Sequence, residues 1–139
     1  LDLLENISDE EIENVLDINL KGLIMMTKEF MPFLKKETES IILNVSSRSG
    51  VVANAQQAVY SASKWGVTGL TEVLKVDLKG SNIRVAGLYQ GKTQTDIFSK
   101  TGDSVDTTKG SKPEDLADVI VFMLSRPPQI WLHDVRVEY

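Results

Sequence analysis

Tyr60 and Lys64 stand four residues apart in the run Tyr60-Ser61-Ala62-Ser63-Lys64, a spacing that puts both side chains on one face of a helix, about one turn apart. A phenol alone is a poor acid or base near neutrality, because its pKa is about 10. An ammonium beside it favours the phenolate and brings proton transfer into a useful range. The same ammonium can hold the hydroxyls of a ribose. Ser47 comes thirteen residues before Tyr60, and a hydroxyl there can donate to a carbonyl oxygen and stabilise the negative charge that develops on it. Spacing alone also fits an inert aromatic–lysine surface pair, and a loop serine can instead satisfy nearby backbone groups, as Ser46 and Ser49 can. Asn19 has the same two readings: it can hold a water or the backbone around the lysine, or it can mark a kink or a cap.

These residues must be positioned by regular elements. Ser8-Asp9-Glu10-Glu11 is a capping box, followed by Ile12, Val15, Leu16, Leu23, Met26, Phe30, Phe33 and Leu34 at helical spacing. The helix is expected to end near Lys35-Lys36, where positive charge suits a C-terminus. Asn19 and Gly22 are poor helix formers in its middle and predict a kink or a functional contact, with Pro32 adding a second bend. Ile41 to Val45 reads as a buried strand and Ser46 to Gln57 as loop. A second helix is expected over residues 59–79, closed by Gly80-Ser81-Asn82, then a strand over Ile83 to Leu88. Thr95 to Ser111 is polar and reads as mobile. Pro113 opens a third helix that Arg126-Pro127-Pro128 stops, and a last strand runs from Trp131 to Val137. The alternation predicts an α/β fold: a partial Rossmann-like, doubly wound parallel sheet of three strands with crossover helices. Ligands of such sheets gather at the carboxyl ends of the strands, here in the loops after Val45 and Leu88.

The chain has 139 residues, which fits a single domain over residues 1–139. Its formal charge of −5 gives no general attraction for nucleic acid or anionic membranes. No apolar run approaches the length that crosses a bilayer. Without cysteine, and with His133 as the one histidine, there are no disulfides or thiolate metal sites, and no metal is expected. The default location is cytoplasmic. Trp131 and Tyr139 read as packing residues at an edge or interface, and His133 as a surface or edge-strand residue.

With these motifs in order, the chain resembles the classical short-chain dehydrogenase/reductase family over essentially its whole length. Tyr60 to Lys64 is similar to the family's Tyr-x-x-x-Lys, Asn44-Val45-Ser46-Ser47 with Gly50 to its serine segment, and Leu16 to Gly22 to the helix segment that carries its asparagine. The resemblance implies Tyr60 as general acid or base, Lys64 lowering the pKa of Tyr60 and binding the nicotinamide ribose, Ser47 orienting the carbonyl, and Asn19 helping to position Lys64 through a water-linked path. Hydride would pass between the nicotinamide and the substrate carbon. After the second strand the family has Pro-Gly and then a threonine that flank the carboxamide. This chain has Gln90-Gly91-Lys92-Thr93-Gln94-Thr95, with Gln90 in place of proline and Gly91 and Thr95 matching. Gln90, Gly91, Thr93 and Thr95 are thus the expected cofactor-binding residues beside Tyr60 and Lys64, although an ordinary polar turn accounts for the same sequence. Asp96 to Lys112 would form a short lid.

No glycine-rich turn of the dinucleotide-binding type is present. The sequence is therefore expected to be the C-terminal, catalytic portion of a family member whose N-terminal cofactor-binding half is missing. These residues do not choose between NAD and NADP. The expected function is an oxidoreductase moving hydride between NAD or NADP and a small or medium secondary alcohol or ketone, with 3-oxoacyl reduction as a specific guess. Two alternatives remain: a non-catalytic fragment serving assembly or regulation, and a relative of the NAD-dependent epimerases and dehydratases. The expected partners are a small carbonyl or alcohol substrate and further copies of the chain, as a dimer or tetramer through helices 9–36 and 59–79.

Overall fold

The chain begins its first long helix where the sequence says it should. Ser8 Oγ accepts the Glu11 backbone N–H at 3.3 Å, and the Glu11 carboxylate accepts the Ser8 N–H at 3.0 Å, so two of the unpaired amides of α1 (Asp9–Leu16) are satisfied. The computed structural model describes residues 1–102 and 105–138. At Asp17–Lys21 the helix widens into a π-turn, and the Gly22 N–H reaches back five residues to the Asp17 carbonyl. It then resumes as α2 (Gly22–Leu34), which carries Pro32 inside it. The interruption falls on the Asn19–Gly22 stretch that composition marks as weak helix.

Strand β1 (Ser40–Ser47) and strand β2 (Ile83–Gln90) run parallel, in register from Ser40 opposite Ile83 to Ser47 opposite Gln90. Both extend two residues beyond the expected apolar runs, and Ser46 belongs to the strand and not to the loop. Between them lies α3 (Ala58–Asp77). A short helix α4 (Ile97–Thr101) forms within the segment expected to be mobile, and α5 (Pro113–Leu124) follows it. The last strand, β3 (Asp134–Val137), is shorter than expected, with Gly87 opposite Asp134 and Gln90 opposite Val137. Trp131 stays outside it because its indole N–H donates sideways to the Val85 carbonyl at 2.7 Å. His133 stacks on that indole at 4.1 Å between ring centroids. Tyr139 lies outside the described residues.

The sheet order is β1-β2-β3 with all neighbours parallel, a Rossmann-like doubly wound sheet with its crossover helices. Central β2 explains the layering, because its side chains alternate between faces. Ala86 and Leu88 meet Met123, Val119 and Ile120 of α5, together with Leu43, Leu132, Val135 and Val137. On the α3 side Val67 and Thr71 are buried, and Asn44 Nδ2 donates to Thr71 Oγ1 at 2.9 Å, so that buried polar pair is satisfied. Full burial of a side chain such as Ile83 or Leu88 contributes about 1.5–3 kcal/mol. Lys75 of α3 meets both Asp134 carboxylate oxygens at 2.8 Å and the Glu72 carboxylate at 2.7 Å, which ties β3 to the helix. Among the described residues no helix is long and apolar enough to cross a membrane.

The π-turn packs against α3 through one glycine. A Cβ on Gly66 would lie 2.6 Å from Leu20 Cδ2, so a methyl group there fits only if the Leu20 side chain shifts. Gly66→Ala should cost about 1–3 kcal/mol by overpacking, read as a lowered urea midpoint. An unchanged midpoint would mean that Leu20 simply swings aside.

Candidate active site

The carboxyl ends of β1 and β2 bring Ser47 and Gln90 side by side. Ser47 retains extended backbone geometry while the chain turns into a short 3-10 helix, Arg48–Gly50. Its Oγ accepts the Ser49 N–H at 3.1 Å. A hydroxyl has one proton and two lone pairs, so this contact orients Ser47 and leaves its O–H able to donate.

Tyr60 and Lys64 sit in the first two turns of α3. Lys64 Nζ lies 5.9 Å from the centre of the Tyr60 ring and donates to the Val45 carbonyl at 3.4 Å. The second contact places the ammonium at the end of β1, two residues from Ser47. Burial pulls the Lys64 pKa below the usual lysine range, because desolvation penalises the charged form.

The backbone beneath Lys64 is latched to β1 and the turn after it. Ser46 Oγ donates to the Lys64 carbonyl at 3.0 Å, and the single proton of Thr68 Oγ1 is shared between the Gly50 carbonyl at 2.9 Å and the Lys64 carbonyl at 3.1 Å. Gly50 is required by contact distance: a Cβ there would lie 2.5 Å from Ser46 Oγ and 2.7 Å from the Lys64 carbonyl oxygen. Asn19 enters from the π-turn, and its Nδ2 donates to Ser63 Oγ at 3.2 Å. Ser63, fully buried, donates in turn to the Tyr60 carbonyl at 2.7 Å. Asn19 thus reaches the helical turn that carries Tyr60 and Lys64 through a serine hydroxyl.

The second loop is stitched to the far end of the lid segment. Gly91 N–H donates to the Val137 carbonyl at 2.8 Å, Ser111 N–H to the Lys92 carbonyl at 3.0 Å, and Gln94 N–H to the Ser111 carbonyl at 2.9 Å. Gln94 Nε2 also donates to the Thr108 and Gly110 carbonyls. Here the Thr93 hydroxyl is buried without a hydrogen-bond partner, whereas Thr95 is exposed. A bound polar group would satisfy Thr93. The lid segment itself contains α4 and includes residues 103 and 104, which lie outside the described residues.

Ser47, Tyr60, Lys64, Gln90, Gly91, Thr93 and Asn19 therefore lie at or behind the same carboxyl edge. Sequence reasoning had Ser46 as a serine that can bond backbone groups and Gly50 in the serine segment, but missed their partner at Lys64 and the parts of Ser63 and Thr68. The one signal for this latch was the density of small residues around the Tyr60–Lys64 turn.

A family model, short chain dehydrogenase, matches residues 2–106. The chain belongs to that family. The matched stretch holds β1, α3 and β2, and the Rossmann-like core is present as a three-stranded parallel sheet with its crossover helices. This corrects the expectation of a C-terminal catalytic portion with its cofactor-binding half missing. Over 131 residues the chain is 35% identical to the 3-oxoacyl-[acyl-carrier-protein] reductase of Thermotoga maritima, covering 88% of this chain and 53% of that protein. It is 32% identical over 125 residues to the trans-4-hydroxycyclohexanecarboxylate dehydrogenase of Sinomonas cyclohexanicum, covering 88% and 48%. The crystal structure of a 3-ketoacyl-(acyl-carrier-protein) reductase from Brucella melitensis, complexed with NADH, superposes with a TM-score of 0.80 at 30% identity, covering 96% of this chain and 59% of that one. The chain spans about half the length of the curated relatives it matches.

Proposed function

We propose that the chain belongs to an NAD(P)-dependent oxidoreductase that interconverts a secondary alcohol and a ketone, with Tyr60 as the proton-transferring group. The observation that carries this is the position of Lys64 Nζ, held against both the Tyr60 ring and the Val45 carbonyl. It brings the phenol–ammonium pair to the strand end that bears Ser47. When bound, the nicotinamide supplies or accepts the hydride. In oxidation Tyr60 takes the proton of the alcohol hydroxyl, and in reduction it returns one to the carbonyl oxygen. The positive charge of Lys64 provides the electrostatic condition for that transfer. Ser47 donates its O–H to the same substrate oxygen, with Ser49 fixing its direction. Asn19 acts as a positioning residue through Ser63.

The residues present fit a nicotinamide nucleotide at one clear point. The unpartnered Thr93 hydroxyl, beside Gly91 and Gln90, matches the need of a carboxamide for a hydrogen-bonding neighbour. Lys64 would hold the ribose hydroxyls, and Thr95 would close the outer side. The reductases and the dehydrogenase among the relatives support the reaction class, and acyl-carrier-protein-linked ketones are one substrate family to assay. Self-association through the two long helical stretches is part of this reading, supported by exposed Ile18, Met25, Phe30 and Phe33 on one and Trp65, Val73 and Val76 on the other.

The test is absorbance of the reduced nicotinamide with NAD or NADP and a panel of secondary alcohols and ketones. No turnover of any panel member with either nucleotide sinks the reading. A pH profile adds a sharper check. The ammonium of Lys64 is the working form, and its pKa lies below the usual lysine range. Activity should therefore fall as pH rises through a value below about 10.4. The sign for stability is opposite. The cost of burying the charge is present at lower pH, and is relieved as pH climbs from the lowered folded value toward the unfolded one. An alkaline limb at or above the ordinary lysine value would contradict the assignment of Lys64.

A further inference from the structure

Resting on that reading, we propose that Arg48 receives a carboxylate of the substrate, so that the substrates are hydroxy acids and the corresponding keto acids. Arg48 follows Ser47 directly, and consecutive Cα atoms are only about 3.8 Å apart. Arg48 thus starts from the same strand end as the Ser47 hydroxyl. Its side chain is exposed but has partners. Nη1 donates to Asn54 Oδ1 at 3.0 Å, and Nε lies 3.7 Å from Glu138 Oε1. Glu138 follows Val137, whose register partner is Gln90, which in turn is the partner of Ser47. The ends of β1 and β3 are two strand spacings apart, about 10 Å. The Arg48–Glu138 contact therefore spans the end of β2, where the ligands of a parallel sheet collect.

The arm is also built in place. Asn54 Nδ2 donates to Ser49 Oγ and to the Val52 carbonyl, each at 3.2 Å, and Ser49 Oγ donates to Gln57 Oε1 at 2.6 Å. Within the same loop Gln56 takes a left-handed backbone, φ 60°, a conformation a non-glycine residue keeps only where its surroundings hold it. Loop geometry and hydrogen bonds thus fix Asn54, and Asn54 fixes Arg48.

Glu138 shows that a carboxylate fits in front of this guanidinium, and also that it is held loosely. The contact is longer than a hydrogen bond, and the two side chains are 43% and 57% exposed. An exposed pair of that kind contributes little. A substrate carboxylate that takes two parallel N–H bonds from the guanidinium displaces it readily. The chain as a whole carries a formal charge of −5, so an anionic substrate gains from a local cation at the mouth of the site.

The probes are 3-hydroxybutyrate and its methyl ester, titrated calorimetrically into the native protein with NAD or NADP present, and assayed in parallel for oxidation. Wild type should bind the acid at least about tenfold more tightly than the ester. Arg48→Gln should weaken acid binding by about 10- to 100-fold and leave the ester unchanged, which also shows that the variant is folded. Arg48→Lys should restore only part of the loss, because an ammonium cannot form the paired contact. Glu138→Gln should tighten the acid about severalfold by removing the resident competitor. Equal binding of acid and ester, absence of acid binding by wild type, or acid binding indifferent to Arg48→Gln overturns the proposal. Acid that binds through Arg48 but is never oxidised overturns the oxidoreductase reading instead, and leaves Arg48 as a carboxylate receptor.

Discussion

Tyr60→Phe lowers kcat by about 10²–10⁴-fold, the range lost with a general acid–base group, and leaves the urea midpoint nearly unchanged. The two halves of this result follow from different features. The phenol oxygen is the group assigned to exchange a proton with the substrate, and Phe keeps the ring while removing that oxygen. The ring lies on a half-buried face of α3, and the bonds that secure its turn run through the backbone, from Ser63 Oγ to the Tyr60 carbonyl and from Ser61 N–H to the Gln57 carbonyl. The ring also keeps its place near Lys64 Nζ. Steady-state kinetics beside an unfolding curve reads both halves. A Phe variant that retains more than about a tenth of wild-type kcat would move the proton-transfer role to another group.

Gly50→Ala damages stability and turnover together, although residue 50 touches no reacting atom. The new methyl group would meet Ser46 Oγ at 2.5 Å and the Lys64 carbonyl oxygen and carbon at 2.7 and 3.0 Å. Ser46 can rotate away, but it then gives up its bond to that carbonyl. The carbonyl belongs to the helix backbone and moves only if the turn carrying Tyr60 and Lys64 moves with it. Overpacking of this kind costs about 1–3 kcal/mol, and a displacement near 1 Å of catalytic groups lowers the rate by about 10²-fold. Urea unfolding and kcat measured on the same preparation check the pair. Lost stability with normal kcat would show that the turn adapts without moving the site.

How much of this could be read from the chain depended on the range of each interaction. The capping box and the Tyr60–Lys64 pairing are local, and spacing sufficed to find them. Both main strands were placed two residues short at their carboxyl ends, because Ser46-Ser47 and Tyr89-Gln90 end the apolar runs that mark a buried strand. Parallel pairing nevertheless continues to Ser47 and Gln90. The last strand is expected from Trp131, but β3 begins at Asp134 and the Trp131 indole donates to the Val85 carbonyl. The bonds of Ser46 to Lys64 and of Asn19 to Ser63 join residues 18 and 44 positions apart. Only packing selects such partners, and no periodicity announces them. Asn19 and Gly22 did flag a disturbed helix, but the form of the disturbance came from the structure.

That disturbance is in effect a one-residue insertion. A π-turn accommodates one residue more than the α-helix on either side of it. Each residue of an α-helix advances the side chains by about 100°, so the faces of α1 and α2 are out of phase by that amount. Deleting Ile18, which is 75% exposed, should yield an unbroken α-helix that loses almost no buried surface at the deleted position. It would nevertheless swing either Asn19 away from Ser63, or the whole of α2 away from its present neighbours. The helix is in this sense spliced at the site, with its two halves read in different frames and Asn19 at the join.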